Sequence, residues 1–169
     1  MELTFVESKG IIAMNKRLQP FKEETDLIGV RKLIHKTIEA CYYACYDEPV
    51  VEYLKEFHNY DNIRERAKNG YTLVYLIDGK IVGSGSLTGY RINDLFVDPA
   101  LHGKGIGKRI MYSLFCEAEK QNIKSLQLIA TPVSVSFFKH IGFQYISDEE
   151  ILIENMYPLY FSHMKKKLP

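Results

Sequence analysis

Three glycines alternate at Gly103, Gly105 and Gly107, with Lys104, Lys108 and Arg109 interleaved or following. Glycine lets a backbone turn sharply and approach a ligand closely. Ile106, Ile110, Leu114, Phe115 and Ala118 then recur at helical spacing, so the glycine run opens an amphipathic helix. The first-turn N–H groups of such a helix lack partners within it and sit at the positive end of its dipole, which suits them to phosphate. Two familiar phosphate loops fail on this chain. The Walker pattern needs Gly at 102 and Ser or Thr at 109, where His102 and Arg109 stand. The dinucleotide fingerprint starting at Gly103 needs Gly or Ala at 108 and finds Lys108.

Other groups capable of chemistry are more scattered. Glu39, Tyr42, Tyr43, Tyr46, Asp47 and Glu48 gather where a first helix should end. His102 and His140 can titrate near neutrality, His102 beside the glycine loop and His140 near a helix end at the surface. Cys41 and Cys45 stand four apart on the predicted helix, but no Cys-x-x-Cys or paired His spacing accompanies them. They are expected to be buried structural thiols, and no metal is expected. Asp94 follows Asn93 in a predicted strand, so simple alternation turns it away from the face of Asn93.

The elements that must position these groups follow from periodicity and breakers. Arg17–Phe21 predicts a first strand, and residues 1–15 an extension or extra strand. Leu27, Val30, Ile34, Ile38 and Cys41 predict a helix N-capped by Asp26. A second helix follows Asp47-Glu48-Pro49 with Val50, Val51, Leu54 and Phe57 on its apolar face, and Asn59–Lys68 makes a third. Tyr71–Ile77 and Lys80–Leu87 flank Asp78-Gly79, a strong hairpin turn. Arg91–Val97 is a strand running into the glycine loop. Ser125–Ala130, a short helix over Val133–His140, and strands over Phe143–Ile153 and Pro158–Lys167 complete one domain over 1–169. The order predicts a mixed α/β sheet.

Leu95-x-Val97-x-Pro99, then Gly103-Lys104-Gly105-Ile106-Gly107, then Gly142-Phe143 resembles the Gcn5-related N-acetyltransferase (GNAT) family, most clearly over residues 71–145. His102 replaces the Arg or Gln with which that family's loop begins. The resemblance implies a largely antiparallel central sheet flanked by helices, with a splayed strand pair that holds acyl-coenzyme A. It implies acetyl-coenzyme A as co-substrate and an amine as acceptor. Pyrophosphate would be gripped by His102 and the loop from Gly103, Lys104 and Gly105 to Ile106, Gly107 and Lys108. The pantetheine arm would lie along Leu95, Phe96 and Val97, where a bulge splays the strand from Ser125–Ala130 and aims an N–H at the thioester oxygen. Thr131 stands where many members carry a cofactor-touching Asn. Tyr42 and Tyr43, at the end of the first helix, and Asn93 would wall the acceptor site.

Two departures bear on mechanism. Phe138 occupies the place where many members keep a Tyr that protonates the leaving thiolate, and a phenyl ring donates no proton. Arg91 and Asn93 stand where relatives place a base, and neither serves as one at neutral pH. With no cysteine expected at the reaction point, acetyl should pass directly to the amine in a ternary complex. The alternatives are a catalytically weak acyl-coenzyme A-binding or sensing module, and a transferase of another acyl group.

Composition fits this reading. The chain is 46% hydrophobic and 25% charged with a formal net charge of +1, values of an ordinary globular protein rather than a nucleic-acid coat. No apolar run approaches the roughly 20 residues of a membrane span. The start lacks a signal-like apolar region, so a reduced, cytoplasmic setting is expected, with a small-molecule or peptide amine as partner and a monomer or homodimer as the assembly.

Overall fold

The computed structural model describes residues 14–169. The reading of residues 1–15 falls almost wholly outside them. Strand β1 (Lys16–Pro20) precedes three helices, α1 (Glu23–Cys41), α2 (Glu48–Phe57) and α3 (Tyr60–Asn69). Strands β2 (Tyr71–Ile77), β3 (Lys80–Thr88) and β4 (Arg91–Val97) form a meander. Then follow α4 (Ile106–Lys120), β5 (Ser125–Ala130), α5 (Val135–His140), β6 (Gln144–Ile153) and β7 (Tyr157–Lys167).

Asp26 is not the N-cap of α1. The helix begins three residues earlier, and Asp26 lies buried in its first turn, where its carboxylate accepts the N–H of Lys22 at 2.9 Å. This is the reach-back half of a capping box, performed one turn inside the helix. The cap of α3 is direct: the Asn59 side chain accepts the N–H of Asn62 at 2.9 Å. At the β2–β3 hairpin, Asp78 and Gly79 both take positive φ (48° and 78°), the signature of a twist-compatible two-residue turn.

The strands form one seven-stranded sheet in the order β1-β2-β3-β4-β5-β7-β6. Every neighbouring pair is antiparallel except β4 and β5, which run parallel and share one paired position, Arg91 with Gln127. Beyond that point the two strands part. A mixed, largely antiparallel sheet with a splayed pair is therefore the architecture.

The sheet is covered on both faces. Ile110, Met111 and Leu114 of α4 are fully buried on one side, and Ile34, Ile38, Val50 and Val51 of α1 and α2 on the other. Each such side chain contributes about 1.5–3 kcal/mol through removal from water. Gly85 lets α4 lie close to β3, since a Cβ there would stand 2.7 Å from Ile110 Cγ2. The two cores anchor the helices whose ends frame the opened β4–β5 seam.

Candidate active site

The glycine loop has the local geometry that phosphate binding requires. Gly105 caps α4 at φ 80°, a left-handed conformation that a β-branched residue adopts only under strain. Lys104 N–H is used within the turn, donating to Leu101 O at 3.3 Å. Arg109 N–H makes the first helical bond, to Gly105 O at 3.1 Å. The N–H groups of Ile106, Gly107 and Lys108 precede that bond, and all three residues line a cavity of about 670 Å³. His102 donates from Nε2 to Val97 O at 2.8 Å, tying the loop to the end of β4.

Strand β4 carries the bulge. Ser84 pairs with Phe96 and Ser86 with Asn93, so two steps on β3 face three on β4. Asp94 absorbs the extra residue at φ 54°, and Ser84 Oγ donates to its carbonyl at 3.1 Å. The bulge corrects the alternation argument: Asp94 does not point away from Asn93. Both line a second cavity of about 370 Å³ on the α1–α3 side.

There Asp94 meets two residues that sequence spacing gives no reason to associate with it. Arg66 Nε donates to its Oδ2 at 2.6 Å, and Arg66 Nη2 donates to His58 Nδ1 at 3.0 Å. His58 thus keeps its proton on Nε2. Burial pushes its pKa down to about 4, opposed by the Asp94 charge and assisted by the Arg66 charge. A third group, His163 of β7, bonds through Nε2 to Glu149 of β6 at 2.6 Å and also lines this cavity. All of these contacts join different elements, which is why local patterns miss them.

The two cavities meet at the opened seam, where Tyr42, Leu95, Phe96, Ser134 and Phe138 belong to both. Phe138 is buried between Phe137 and Phe143 with one side on the cavities. The Tyr42 phenol is pushed up to about 12, chiefly by burial, while Thr131 beside it acts the other way. Thr131 itself lies on the α1–α3 side, linked to Ser134 Oγ at 3.2 Å. Val97 and the loop line only the larger cavity.

Two expected residues are not brought in. Tyr43 is 51% exposed and lines neither cavity, because the helical turn after α1 directs it outward. The Lys104 side chain is likewise exposed and outside both linings. Cys41 and Cys45 also differ from expectation, being only half-buried; the third cysteine, Cys116, is exposed. Cys41 lines the larger cavity, with burial raising its thiol pKa and so favouring the unreactive thiol form. Among the described residues there is no cluster of His, Cys, Asp and Glu suited to a metal, and no helix is long and apolar enough to cross a membrane.

Residues 39–168 match the family described as an acetyltransferase (GNAT) domain. The chain belongs to the GNAT acetyltransferases. It is 34% identical over 50 residues to the uncharacterized N-acetyltransferase ycf52 of Gracilaria tenuistipitata var. liui, a match that takes in 30% of this chain and 28% of that protein. The fold is similar to a GCN5-related N-acetyltransferase structure from Rhodopseudomonas palustris, with a TM-score of 0.83 at 23% identity over 94% of this chain and 100% of that one. It is also similar to the PaiA N-acetyltransferase of Thermoplasma acidophilum in complex with coenzyme A, with a TM-score of 0.75 at 18% identity over 92% and 100%.

Proposed function

We propose that this acetyltransferase carries acetyl from acetyl-coenzyme A directly to an amine in a ternary complex. The observation that carries the reading is the meeting of two cavities at the parted end of β4 and β5, one lined by the glycine loop and the other by acceptor-side polar groups. The amides of Ile106, Gly107 and Lys108, with the Lys108 ammonium, fit a pyrophosphate. The backbone of Leu95, Phe96 and Val97 fits an amide-bearing arm laid into the gap, in the manner of a further strand. A related fold with coenzyme A bound supports the same assignment.

In this reading the amine nitrogen attacks the thioester carbonyl, a C–N bond forms, and the C–S bond breaks. Tyr42, protonated at neutral pH and shared by both cavities, donates to the departing sulfur in place of the hydroxyl that Phe138 lacks. His163, whose Nε2 is held by Glu149, offers Nδ1 to the proton that the amine loses. Cys41 stays a thiol and takes no acetyl. Initial rates of thiol release with both substrates varied test the order of events. Intersecting double-reciprocal lines are expected, and parallel lines, the pattern of an acetylated enzyme, would overturn direct transfer.

A further inference from the structure

The acceptor-side cavity has an uneven balance of charge. Asp94 is the one carboxylate that lines it, and Arg66 holds it at 2.6 Å. Arg91 also lines this cavity, and among the described residues no carboxylate pairs with it. Its guanidinium rests beside the Tyr90 ring, 5.8 Å from the centroid. Asn93 and Gln127 supply neutral amides around it, Gln127 being its partner across the single β4–β5 pairing. A second ammonium on the acceptor, as in a polyamine, would meet this positive charge with no unpaired acid among the lining residues to offset it.

We propose that the acceptor is an amine that also carries a carboxylate, which Arg91 holds while the amino group reaches the bulged end of β4. The proposal rests on the acetyl-transfer reading above and narrows its acceptor. Arg91 lies three residues before Asp94, about 10 Å along a strand at roughly 3.3 Å per residue. That distance is about the reach of three extended residues, so a short peptide with a free C-terminus spans it. The guanidinium fork matches a carboxylate in two parallel hydrogen bonds. Transfer forms the amide C–N bond, breaks the C–S bond and releases coenzyme A, leaving the acceptor's carboxylate unchanged.

Thiol release at saturating acetyl-coenzyme A, compared for triglycine against triglycine amide and for lysine against 1,5-diaminopentane, tests this. The carboxylated member of each pair should have kcat/KM about 10- to 100-fold higher, the scale of one charge-assisted contact. Arg91→Ala should remove the preference through KM with kcat retained, and Arg91→Glu should reverse it. Equal or inverted preference in the wild type, or a preference that survives Arg91→Ala, overturns the proposal. So does an enzyme that binds acetyl-coenzyme A yet acetylates no member of either pair. Failure of the underlying reading looks different: no thermal stabilisation by acetyl-coenzyme A and no thiol release with any amine. Arg91 is exposed, so its variants should fold, and their thermal response to acetyl-coenzyme A verifies it.

Discussion

His58 makes the acceptor side of the site sensitive to acid in a calculable way. Its imidazole is buried against Phe57 and Phe96, accepts a proton bond from Arg66, and has its pKa pushed down to about 4 from the ordinary 6.5. A depressed base binds fewer protons folded than unfolded, so stability is complete above about pH 6.5 and declines as pH falls towards 4. At about 1.4 kcal/mol per pKa unit, the full decline is about 3 kcal/mol, and about 2 kcal/mol of it is lost between pH 7 and pH 5. Urea unfolding of the wild type and of His58→Asn at both pH values isolates this contribution. Asn places an acceptor near the position of Nδ1 and cannot titrate, so its stability should fall by about 2 kcal/mol less over that interval. Parallel stability–pH curves for the two proteins would refute a buried neutral His58.

The other predictions concern the loop and the proton donor. Gly105→Val should lower stability by about 1–2 kcal/mol through left-handed strain, since its Cβ meets nothing within 4 Å, and should abolish the stabilisation of about 2.7 kcal/mol expected at 100 times the acetyl-coenzyme A Kd; thermal shift reads both. Lys108→Ala should weaken acetyl-coenzyme A binding more at low salt than at high salt, because screening shortens to about 3 Å at 1 M; a salt-independent affinity by calorimetry would place the work on the amides alone. Tyr42→Phe should lower kcat by about 100- to 10,000-fold where sulfur protonation limits the rate, and Phe138→Tyr in that background should restore part of it. An unchanged kcat in Tyr42→Phe would remove Tyr42 from the proton path.

What the sequence made legible is local. The α4 stripe Ile106, Ile110, Leu114, Phe115 and Ala118 is buried throughout, as helical spacing requires, and Asp78-Gly79 turns the β2–β3 hairpin. The glycine loop was readable because its meaning lies in consecutive residues. The bulge at Asp94 was not: a non-glycine residue at positive φ leaves no mark in an apolar/polar pattern, and one inserted residue reverses the face of everything beside it. The group formed by His58, Arg66 and Asp94 joins the end of α2 to α3 and β4, with Arg66 and Asp94 28 positions apart, and its members look singly like surface charges. His163 with Glu149 exists only through the β6–β7 register, which a sequence-level strand assignment does not set. Tyr43, Cys41 and Cys45 differ from expectation because burial at a helix end depends on the turn that follows.

Thiol release with triglycine as acceptor, with mass spectrometry of the acceptor and with Gly105→Val run beside the wild type, measures whether this chain moves acetyl from acetyl-coenzyme A to an amine through the glycine loop. The prediction is stoichiometric thiol and N-acetylated peptide from the wild type, and neither from the variant. Thiol without acetylated acceptor, or equal turnover by Gly105→Val, would contradict it.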